Sequence, residues 1–424
     1  YGVDPFNEID APSWDPQTLG NMAAHIYGSM AAVDPEAVWL QMGWLFYADP
    51  AHWTHENIRS FLRAVPQDRL IMLDYYCEFT EIWKQTQEFY GQPYIWCYLG
   101  NFGGNTMMSG NFRTVSSRID DALANGGDNL IGMGSTLEGF GVNMFMYEYI
   151  LERAWDTGMS DDEWIEVLAD RRLGYVDEGV RKAWRTLCDE VYTEHSKTGH
   201  ATLTCAHPAL EGNWHWTTKP STNYPTETLW NVWETLLSAE SDRDTYGYDV
   251  ANVGRQVLGD HFMAVRDQFT EAYKSGDLPL MQEKAAMMLD IIDDMDRLVA
   301  CHPEFSLKDW VDMARSFGET PQQKDYYETN ARTLVSVWGD SYHLSDYASR
   351  AWAGMLSSFY KVRWEMFLKE VMDSFKAGVP FDAKAFDARI WEFENAWAKS
   401  SHEIDYPEPG DPVATAKEIF AKYR

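Results

Sequence analysis

The stretch that decides the fold runs from Arg69 to Leu99 and reads RLIMLDYYCEFTEIWKQTQEFYGQPYIWCYL. It contains two short apolar runs, Arg69–Asp74 and Pro93–Leu99, at the two ends of a longer connecting segment. Neither run alternates apolar with polar residues, and continuous runs of this kind are typical of parallel strands buried on both faces. The stretch therefore predicts one strand–helix–strand unit of a parallel sheet.

Similar runs recur on both sides of this unit. One run is cut off by the chain start and ends at Glu8, and two others are Ala37–Trp44 and Asn129–Gly134. The five ends are separated by steps of roughly 36, 30, 25 and 35 residues. A complete (β/α)8 barrel takes about 250 residues, or about 31 residues per unit. We therefore expect residues 1–157 to form the C-terminal portion of a (β/α)8 barrel, with three units preceding Tyr1.

The strand pattern disappears after Trp155, where apolar residues recur at spacings of three and four. This spacing predicts helices over Asp161–Arg172, Glu178–His195, Thr228–Glu240, Tyr248–Lys274, Leu280–Cys301, Gln322–Trp338, Asp346–Ala377 and Ala383–Lys399. The fold class is accordingly α/β plus all-α, with an all-helical domain over residues 158–424.

Composition excludes several classes of function. Among 424 residues, 66 are acidic and 35 are basic, so the net charge is −31 and disfavours nucleic acid or an anionic membrane as partner. No apolar run is long enough to span a membrane. Phosphate-binding loops and metal-ligand motifs are absent, so we expect no cofactor and no metal. The five cysteines rule out a dense disulfide framework but leave one bridge open, Cys188 with Cys205.

Catalytic groups of such barrels lie at the carboxyl ends of the strands. Glu8 and Glu138 follow two different predicted strands, among Trp, Tyr and Asn residues. Glycoside hydrolysis needs such a pair, one carboxylic acid for the leaving oxygen and one carboxylate as nucleophile or base. Each Glu can equally be a solvated loop residue or a helix cap. Other acidic residues compete for the same roles, namely Asp4, Asp10, Asp74, Glu78 and Glu148.

Several longer motifs make the sequence recognisable. They are Tyr1–Glu8 (YGVDPFNE), Asp34–Phe46 (DPEAVWLQMGWLF), Gly91–Cys97 (GQPYIWC), Asn101–Asn105 (NFGGN), Trp338–Gly339, Asp346–Ala348 and Asp411–Tyr423 (DPVATAKEIFAKY). With these motifs in order along the chain, the sequence resembles the alpha-N-acetylglucosaminidase family of glycoside hydrolases.

The resemblance implies a function and a set of site residues. Glu8, in the FNE motif, is implied as the general acid/base and Glu138 as the nucleophile of a retaining, exo-acting hydrolase of terminal α-linked N-acetylglucosamine. A retaining mechanism requires a carboxyl separation of about 5–5.5 Å. Substrate-binding positions implied by the resemblance are Asn7, Trp44 and Tyr75 in the barrel, and Trp338, Leu344 and Tyr347 in the helical domain.

Further expectations concern partners and setting. The expected partners are a glycan with terminal α-N-acetylglucosamine and the N-terminal part that precedes the FNE motif in this family, so the chain alone is expected to have an incomplete pocket. The charge favours mucin-type over heparan-derived glycans. Few cysteines and no Asn-x-Ser/Thr site favour a bacterial secreted or periplasmic enzyme over an animal lysosomal one. Two rivals remain, a non-catalytic N-acetylglucosamine-binding protein and a helical interaction module over residues 161–424.

Overall fold

A computed structural model describes residues 1–139, 143–155, 158–193, 201–212, 217–218, 220–339, 344–401 and 404–424. These residues form two compact units. The first unit contains residues 1–100, 110–138 and the described residues of 143–159, and the second contains 101–109, 139 and the described residues from 160 onward. The boundary predicted after residue 157 falls on a residue outside the described ranges and stays a prediction.

The first unit is built on a four-stranded parallel sheet with the order β1-β2-β3-β4. Its strands are β1 (Trp39–Met42), β2 (Leu70–Asp74), β3 (Tyr94–Tyr98) and β4 (Leu130–Ser135). Their carboxyl ends lie within two residues of the predicted ends, so these four strand predictions are confirmed. The side chains of Trp39, Leu70, Met72, Tyr94 and Trp96 lie on one face of the sheet and are fully buried. On the opposite face burial varies from the exposed Leu40 to the buried Cys97, so the expectation of two buried faces is met only in part.

Helices occupy the connections between these strands. They are α1 (Pro16–Ala31), α2 (Trp44–Ala48), α3 (His55–Arg63), α4 (Ile82–Gln85), α5 (Phe112–Asn125) and α6 (Met144–Glu152). Side-chain caps fix where the longer ones begin, since Asp15, Thr54 and Asn111 each accept a hydrogen bond from a backbone N–H in the first turn of α1, α3 and α5. Strand and helix alternate as in a (β/α)8 barrel.

The strand predicted to end at Glu8 is wrong in its extent. A single parallel bridge joins Gly2 to Leu40, and residues 5–8 form a turn instead. Pro5 has no backbone N–H for a strand ladder, and Phe6 and Glu8 have left-handed φ values of +63° and +53°. At this point a side chain replaces the backbone as the hydrogen-bond acceptor for β1, because Asp4 Oδ1 accepts the N–H of Met42 at 2.9 Å.

Two buried carboxylates fasten the sheet ends. Asp74 Oδ1 and Oδ2 accept the N–H groups of Ile82 (3.2 Å) and Trp83 (3.0 Å) at the start of α4. Glu78 accepts the N–H of Leu99 at 3.1 Å and of Gly100 at 2.7 Å, just beyond β3. Burial raises the pKa of Asp74 to about 7 and of Glu78 to about 8, although these backbone donors oppose both shifts.

Glu78→Gln should flatten the pH dependence of stability. The folded chain keeps a proton on Glu78 that the unfolded chain releases above about pH 4.5, so this group makes the free energy of unfolding fall as the pH rises from about 5 to 8. A glutamine oxygen still accepts the two N–H groups but does not titrate. We expect the fall between pH 5 and 8 to be smaller by roughly 3–4 kcal/mol in Glu78→Gln, as measured by guanidinium unfolding. The exposed control Glu56→Gln should behave like the wild type, and an unchanged slope in Glu78→Gln would contradict this role.

The second unit is helical apart from isolated bridges in its described residues. Its helices are α7 (Asp161–Leu173), α8 (Glu178–Thr186), α9 (Thr226–Leu237), α10 (Asp244–Ser275), α11 (Leu278–Val299), α12 (Leu307–Ser316), α13 (Pro321–Val335), α14 (Lys361–Lys376), α15 (Ala383–Lys399) and α16 (Pro412–Tyr423). The long α10 forms its centre, with one continuous buried stretch from Tyr246 to Asp260. The predicted all-α character of this half is thus confirmed.

Several predicted helix boundaries differ from the observed ones. The helix expected from Asp346 begins only at Leu356, as a wide π turn that continues into α14, because Asp346 and Gly354 have left-handed φ values of +63° and +82°. The helix expected to reach Trp338 ends at Val335. The predicted end at His195 lies outside the described residues, and α8 continues only as a π turn over Leu187–Val191.

Two helices that were not predicted are present, and the disulfide bond that the sequence left open is absent. The helices α12 and α16 were not predicted, and each buries only two side chains, too few for a periodic pattern. Their start signals are nonetheless present, because Ser306 caps α12 and Asp411 with Pro412 opens α16. All five cysteines are free thiols, so the bridge left open between Cys188 and Cys205 does not form.

Candidate active site

Glu8 lies on the turn that follows the Gly2 bridge, and its carboxylate is tied to the end of β1. Trp44 Nε1 donates a hydrogen bond to Glu8 Oε1 at 2.9 Å. Trp44 begins α2 directly after Gly43, whose N–H is bonded to the carbonyl of Leu73 in β2. Glu8 and its neighbour Asn7 are both exposed on this turn. The arrangement holds one carboxylate oxygen of Glu8 and leaves Oε2 open to another partner.

Glu138 follows β4 and is held from the end of β2. Tyr75 Oη lies 3.5 Å from Glu138 Oε1, a long contact in which the phenol is the donor. Thr136 Oγ1 donates to the carbonyl of Tyr75 at 2.6 Å, which joins the two strand ends. Burial, with a smaller contribution from the Glu138 charge, raises the pKa of Tyr75 well above its usual range. Tyr75 is therefore a neutral donor to the half-buried Glu138 carboxylate.

The two carboxylates are linked through a pair of aromatic rings. The rings of Trp44 and Tyr75 meet edge to face, with centroids 5.4 Å apart. The contacts thus run from Glu8 through Trp44 and Tyr75 to Glu138 within the first unit. The structure brings together four of the sequence-predicted residues, at the carboxyl edge of the sheet where strand topology placed them.

Three further aromatic residues belong to this cluster and were not predicted. Tyr47 lies 4.9 Å from Trp44 between ring centroids, and Tyr76 lies 5.9 Å from it. Phe79 packs against both Tyr47 and Tyr76. The available signal was the aromatic density of Tyr75–Phe79 directly after β2, since loops at this edge of a barrel line the site. Together with Trp44 these rings form an aromatic wall at the carboxyl edge of the sheet.

The five other acidic residues that compete for the catalytic roles differ from Glu8 and Glu138 in their contacts and their positions. Asp74 and Glu78 are buried and occupied by backbone donors, and Asp4 Oδ1 receives both Gln41 Nε2 and the Met42 N–H at 2.9 Å. Asp10 is exposed on the chain beyond the turn, and Glu148 lies half-buried on α6. Glu8 accepts a hydrogen bond from the indole of Trp44, and Glu138 accepts one from the phenol of Tyr75, which places these two carboxylates in the aromatic cluster.

The second unit contains the other three predicted residues and places them together. The rings of Trp338 and Tyr347 lie 4.6 Å apart between centroids. The Tyr347 N–H is bonded to the carbonyl of Leu344 at 3.1 Å, closing a short turn. Trp338 has a left-handed φ of +62°, which a bulky residue rarely adopts. All three side chains are half-buried.

A metal-dependent reaction has no candidate ligand set in the part of the chain that the structure describes. No three His, Cys, Asp or Glu side chains there are grouped so that they could hold a metal ion. The described helices also include none that is long and apolar enough to cross a membrane. The arrangement instead offers two carboxylates, each held by a neutral donor beside an aromatic wall. Such a site is suited to acid/base and nucleophilic chemistry on a sugar.

Comparison with known proteins identifies the family. The sequence profile described as "Alpha-N-acetylglucosaminidase (NAGLU) tim-barrel domain" matches residues 1–157, and "Alpha-N-acetylglucosaminidase (NAGLU) C-terminal domain" matches residues 164–422. The human alpha-N-acetylglucosaminidase is 32% identical over 432 residues, covering 100% of this chain and 57% of that protein. The chain belongs to the alpha-N-acetylglucosaminidase family.

Solved structures support the same fold. A family 89 glycoside hydrolase from Clostridium perfringens in complex with PUGNAc superimposes with a TM-score of 0.86 at 24% identity, over 100% of this chain and 48% of that one. A doubly substituted variant from the same organism, in complex with its substrate GlcNAc-alpha-1,4-galactose, gives a TM-score of 0.86 at 23% identity over 99% and 48%. The chain thus spans about half the length of the relatives it matches.

Proposed function

We propose that this chain carries the catalytic carboxylates of a retaining, exo-acting alpha-N-acetylglucosaminidase, which removes terminal α-linked N-acetylglucosamine from glycans. The observation that carries the proposal is the contact path from Glu8 through Trp44 and Tyr75 to Glu138. Membership of the family supports the substrate class, because the human relative is named for this activity. The Clostridium perfringens relative, whose variant was solved with GlcNAc-alpha-1,4-galactose, supports a glycan substrate.

In the proposed first half-reaction, Glu138 attacks the anomeric carbon while Glu8 gives its proton to the glycosidic oxygen. The sugar–oxygen bond breaks, the shortened glycan leaves, and the sugar remains bonded to Glu138. Tyr75 holds Oε1 of Glu138, so the other carboxylate oxygen is the attacking atom. Trp44 holds Oε1 of Glu8, which assigns the transferable proton to Oε2.

In the second half-reaction, Glu8 takes a proton from water, and the water oxygen attacks the anomeric carbon. The bond to Glu138 breaks, and N-acetylglucosamine leaves with its original anomeric configuration. The half-buried rings of Trp44 and Tyr47 offer faces on which the apolar side of a sugar ring can stack. Trp338, Leu344 and Tyr347 of the second unit are proposed to contact the same sugar.

The proposal also includes a preferred class of glycan and a cellular location. The net charge of −31 opposes binding of a polyanion, so we propose mucin-type or other weakly charged glycans ahead of heparan-derived ends. Such glycans lie outside the cytoplasm, and we propose a bacterial secreted or periplasmic enzyme. A screen of neutral and sulfated disaccharides that end in α-N-acetylglucosamine tests this preference, and faster turnover of the sulfated ones would contradict it.

Hydrolysis of p-nitrophenyl α-N-acetylglucosaminide tests the function itself. The assay uses the complete gene product that contains these 424 residues, with the 424-residue chain in parallel. Release of p-nitrophenol by the complete product, with no release from the β-anomer, is the expected result. If calorimetry shows binding of N-acetylglucosamine but the assay shows no turnover, the result would contradict the hydrolase function and support a non-catalytic glycan-binding protein.

Trp44→Phe should lower activity while keeping an aromatic ring in place. The substitution removes the Nε1–H donor to Glu8 Oε1, and hydrogen bonds to charged groups contribute about 1.5–3 kcal/mol. We expect kcat/KM for p-nitrophenyl α-N-acetylglucosaminide to fall by about 10- to 100-fold. Trp14→Phe is the matched control, because the ring contacts of Trp14 are with His52 and Trp53. Equal activity of Trp44→Phe and wild type would remove the proposed role of this indole.

A further inference from the structure

A buried group of charged side chains in the second unit lies directly behind the Trp338–Tyr347 pair. We call His207, Asp346, Arg363 and Glu394 the charged cluster. Arg363 and Glu394 are fully buried, and Asp346 is 1% exposed. Arg363 Nη1 lies 3.0 Å from each carboxylate oxygen of Asp346 and 2.6 Å from Glu394 Oε1. Arg363 Nη2 donates to the carbonyl of Cys205 at 2.9 Å.

The charged cluster holds both residues that immediately precede Tyr347. Asp346 is bonded to Arg363, and Ser345 Oγ donates to Glu394 Oε2 at 3.3 Å. His207 backs Glu394 from the other side, with Nδ1 3.8 Å from Glu394 Oε1 and Nε2 3.0 Å from Asp387. The turn that presents Tyr347 is therefore anchored by α14, which carries Arg363, and by α15, which carries Glu394.

Backbone strain marks the same place. Among the described residues of the second unit, Trp338 and Asp346 are the two non-glycine residues with left-handed φ, at +62° and +63°. The Asp346 N–H is bonded to the carbonyl of Ser336, two residues before Trp338. Such conformations persist only where the surroundings hold them, and they concentrate at functional sites. Asp346 thus joins the charged cluster to both members of the aromatic pair.

Close packing fixes Tyr347 from the opposite side. Phe102 meets the Tyr347 ring with centroids 6.5 Å apart, and a Cβ on Gly103 would collide with the Tyr347 backbone. The turn has little room to move except by a rearrangement of the charged cluster. A buried ion network is weak support for stability, because well-packed apolar residues serve as well or better. Its placement here favours a role in positioning.

We propose that the charged cluster is a positioning network, which sets the orientation of the Trp338–Tyr347 pair so that the pair can bind the terminal sugar. This proposal rests on the proposed function, since it takes Trp338 and Tyr347 to be parts of the sugar site. None of the four cluster residues is a catalytic residue. They act through the turn Leu344–Tyr347, and Asp346 is the member that directly precedes Tyr347 and whose charge can be removed with little change in shape.

Asp346→Asn tests the proposal in the complete gene product. Asparagine has nearly the same size and tolerates left-handed φ, so the turn can still form while the charge that pairs with Arg363 is lost. The aromatic pair is followed by the near-UV circular dichroism band that disappears in Trp338→Phe. We expect Asp346→Asn to lose at least about half of this band and to raise KM about tenfold, with kcat changed less than about threefold.

Asp249→Asn is the matched control. Asp249 forms a buried, bidentate ion pair with Arg172 between α7 and α10, at 2.8 Å to Nε and 2.7 Å to Nη2, so the chemical change is the same. We expect a comparable drop in Tm, with the near-UV band and KM unchanged. A KM increase equal to that of Asp346→Asn would reduce the charged cluster to a structural role and overturn the proposal.

The remaining outcomes are also decisive. A folded Asp346→Asn that keeps the full near-UV band overturns the proposal, and so does a lost band with unchanged KM in an active enzyme. If the wild type hydrolyses and binds nothing, the proposed function fails, whereas the near-UV band still reports whether the charged cluster orients the pair. Should Asp346→Asn not fold, Ser345→Ala takes its place as the test, because it removes only the hydrogen bond to Glu394. This variant should also weaken the near-UV band and raise KM, each by less than the amount expected for Asp346→Asn.

Discussion

Glu138→Gln is expected to abolish turnover of p-nitrophenyl α-N-acetylglucosaminide, with kcat lower by at least about 10⁴-fold. Glutamine has the size of glutamate and can keep the contact with Tyr75 Oη, so folding and sugar binding should survive. The amide is a poor nucleophile and cannot form the covalent glycosyl intermediate. Because the whole first half-reaction is lost, the loss should be as large with good leaving groups as with poor ones.

The control for this variant is Glu148→Gln on α6, another acidic residue in the same stretch of chain. We expect Glu148→Gln to retain activity within about threefold, as is usual away from the reacting atoms. Binding of N-acetylglucosamine to Glu138→Gln, measured by calorimetry, separates loss of chemistry from loss of the site. Activity of Glu138→Gln within tenfold of wild type would exclude Glu138 as the nucleophile.

Glu8→Ala is expected to show a loss that depends on the leaving group. A p-nitrophenolate leaves with little help from an acid, whereas the oxygen of a galactose leaving group must be protonated. We expect kcat/KM to fall by about 10³- to 10⁴-fold with a GlcNAc-α-1,4-galactose disaccharide, and by a much smaller factor with the nitrophenyl substrate. A burst of p-nitrophenol should then appear, because deglycosylation also lacks its base.

Asp10→Asn is the control for Glu8→Ala, since Asp10 is exposed two residues further along the chain and was a competing candidate. Its expected kinetics are those of the wild type with both substrates. A Glu8→Ala variant that loses the same factor with both substrates would show that Glu8 does not act as the proton donor. The burst of p-nitrophenol is measured by stopped flow, and the ratio of kcat/KM for the two substrates is measured at steady state.

Burial explains which parts of the fold were predictable. The strands β2 and β3 each have one buried face and an opposite face that is at least half-buried, so their sequences are continuous apolar runs and their ends were located within two residues. The bridge at Gly2 and the late start of the helix at Leu356 depend on left-handed residues, Phe6 and Asp346. No periodicity records a backbone conformation of this kind in non-glycine residues, so these boundaries were wrong.

The candidate site was predictable where topology places it and not where distant contacts build it. Parallel strand ends share one edge, which brought Glu8, Trp44, Tyr75 and Glu138 into one group. The indole donor on Glu8 and the partner of Asp346 could not be read from the sequence. Asp346 pairs with a residue 17 positions away, and Arg363 reaches another 31 positions along. Such pairings follow from helix packing, which a single sequence does not specify.

The most direct test of the account is the anomeric configuration of the products formed in azide. Glu138→Ala and Glu8→Ala are each incubated with p-nitrophenyl α-N-acetylglucosaminide and sodium azide, and the glycosyl azide is identified by NMR. If Glu138 is the nucleophile, azide replaces it in Glu138→Ala and gives the β-azide by a single displacement. In Glu8→Ala, azide attacks the glycosyl-enzyme and gives the α-azide. The reverse assignment, or the same anomer from both variants, would contradict the roles proposed for these two carboxylates.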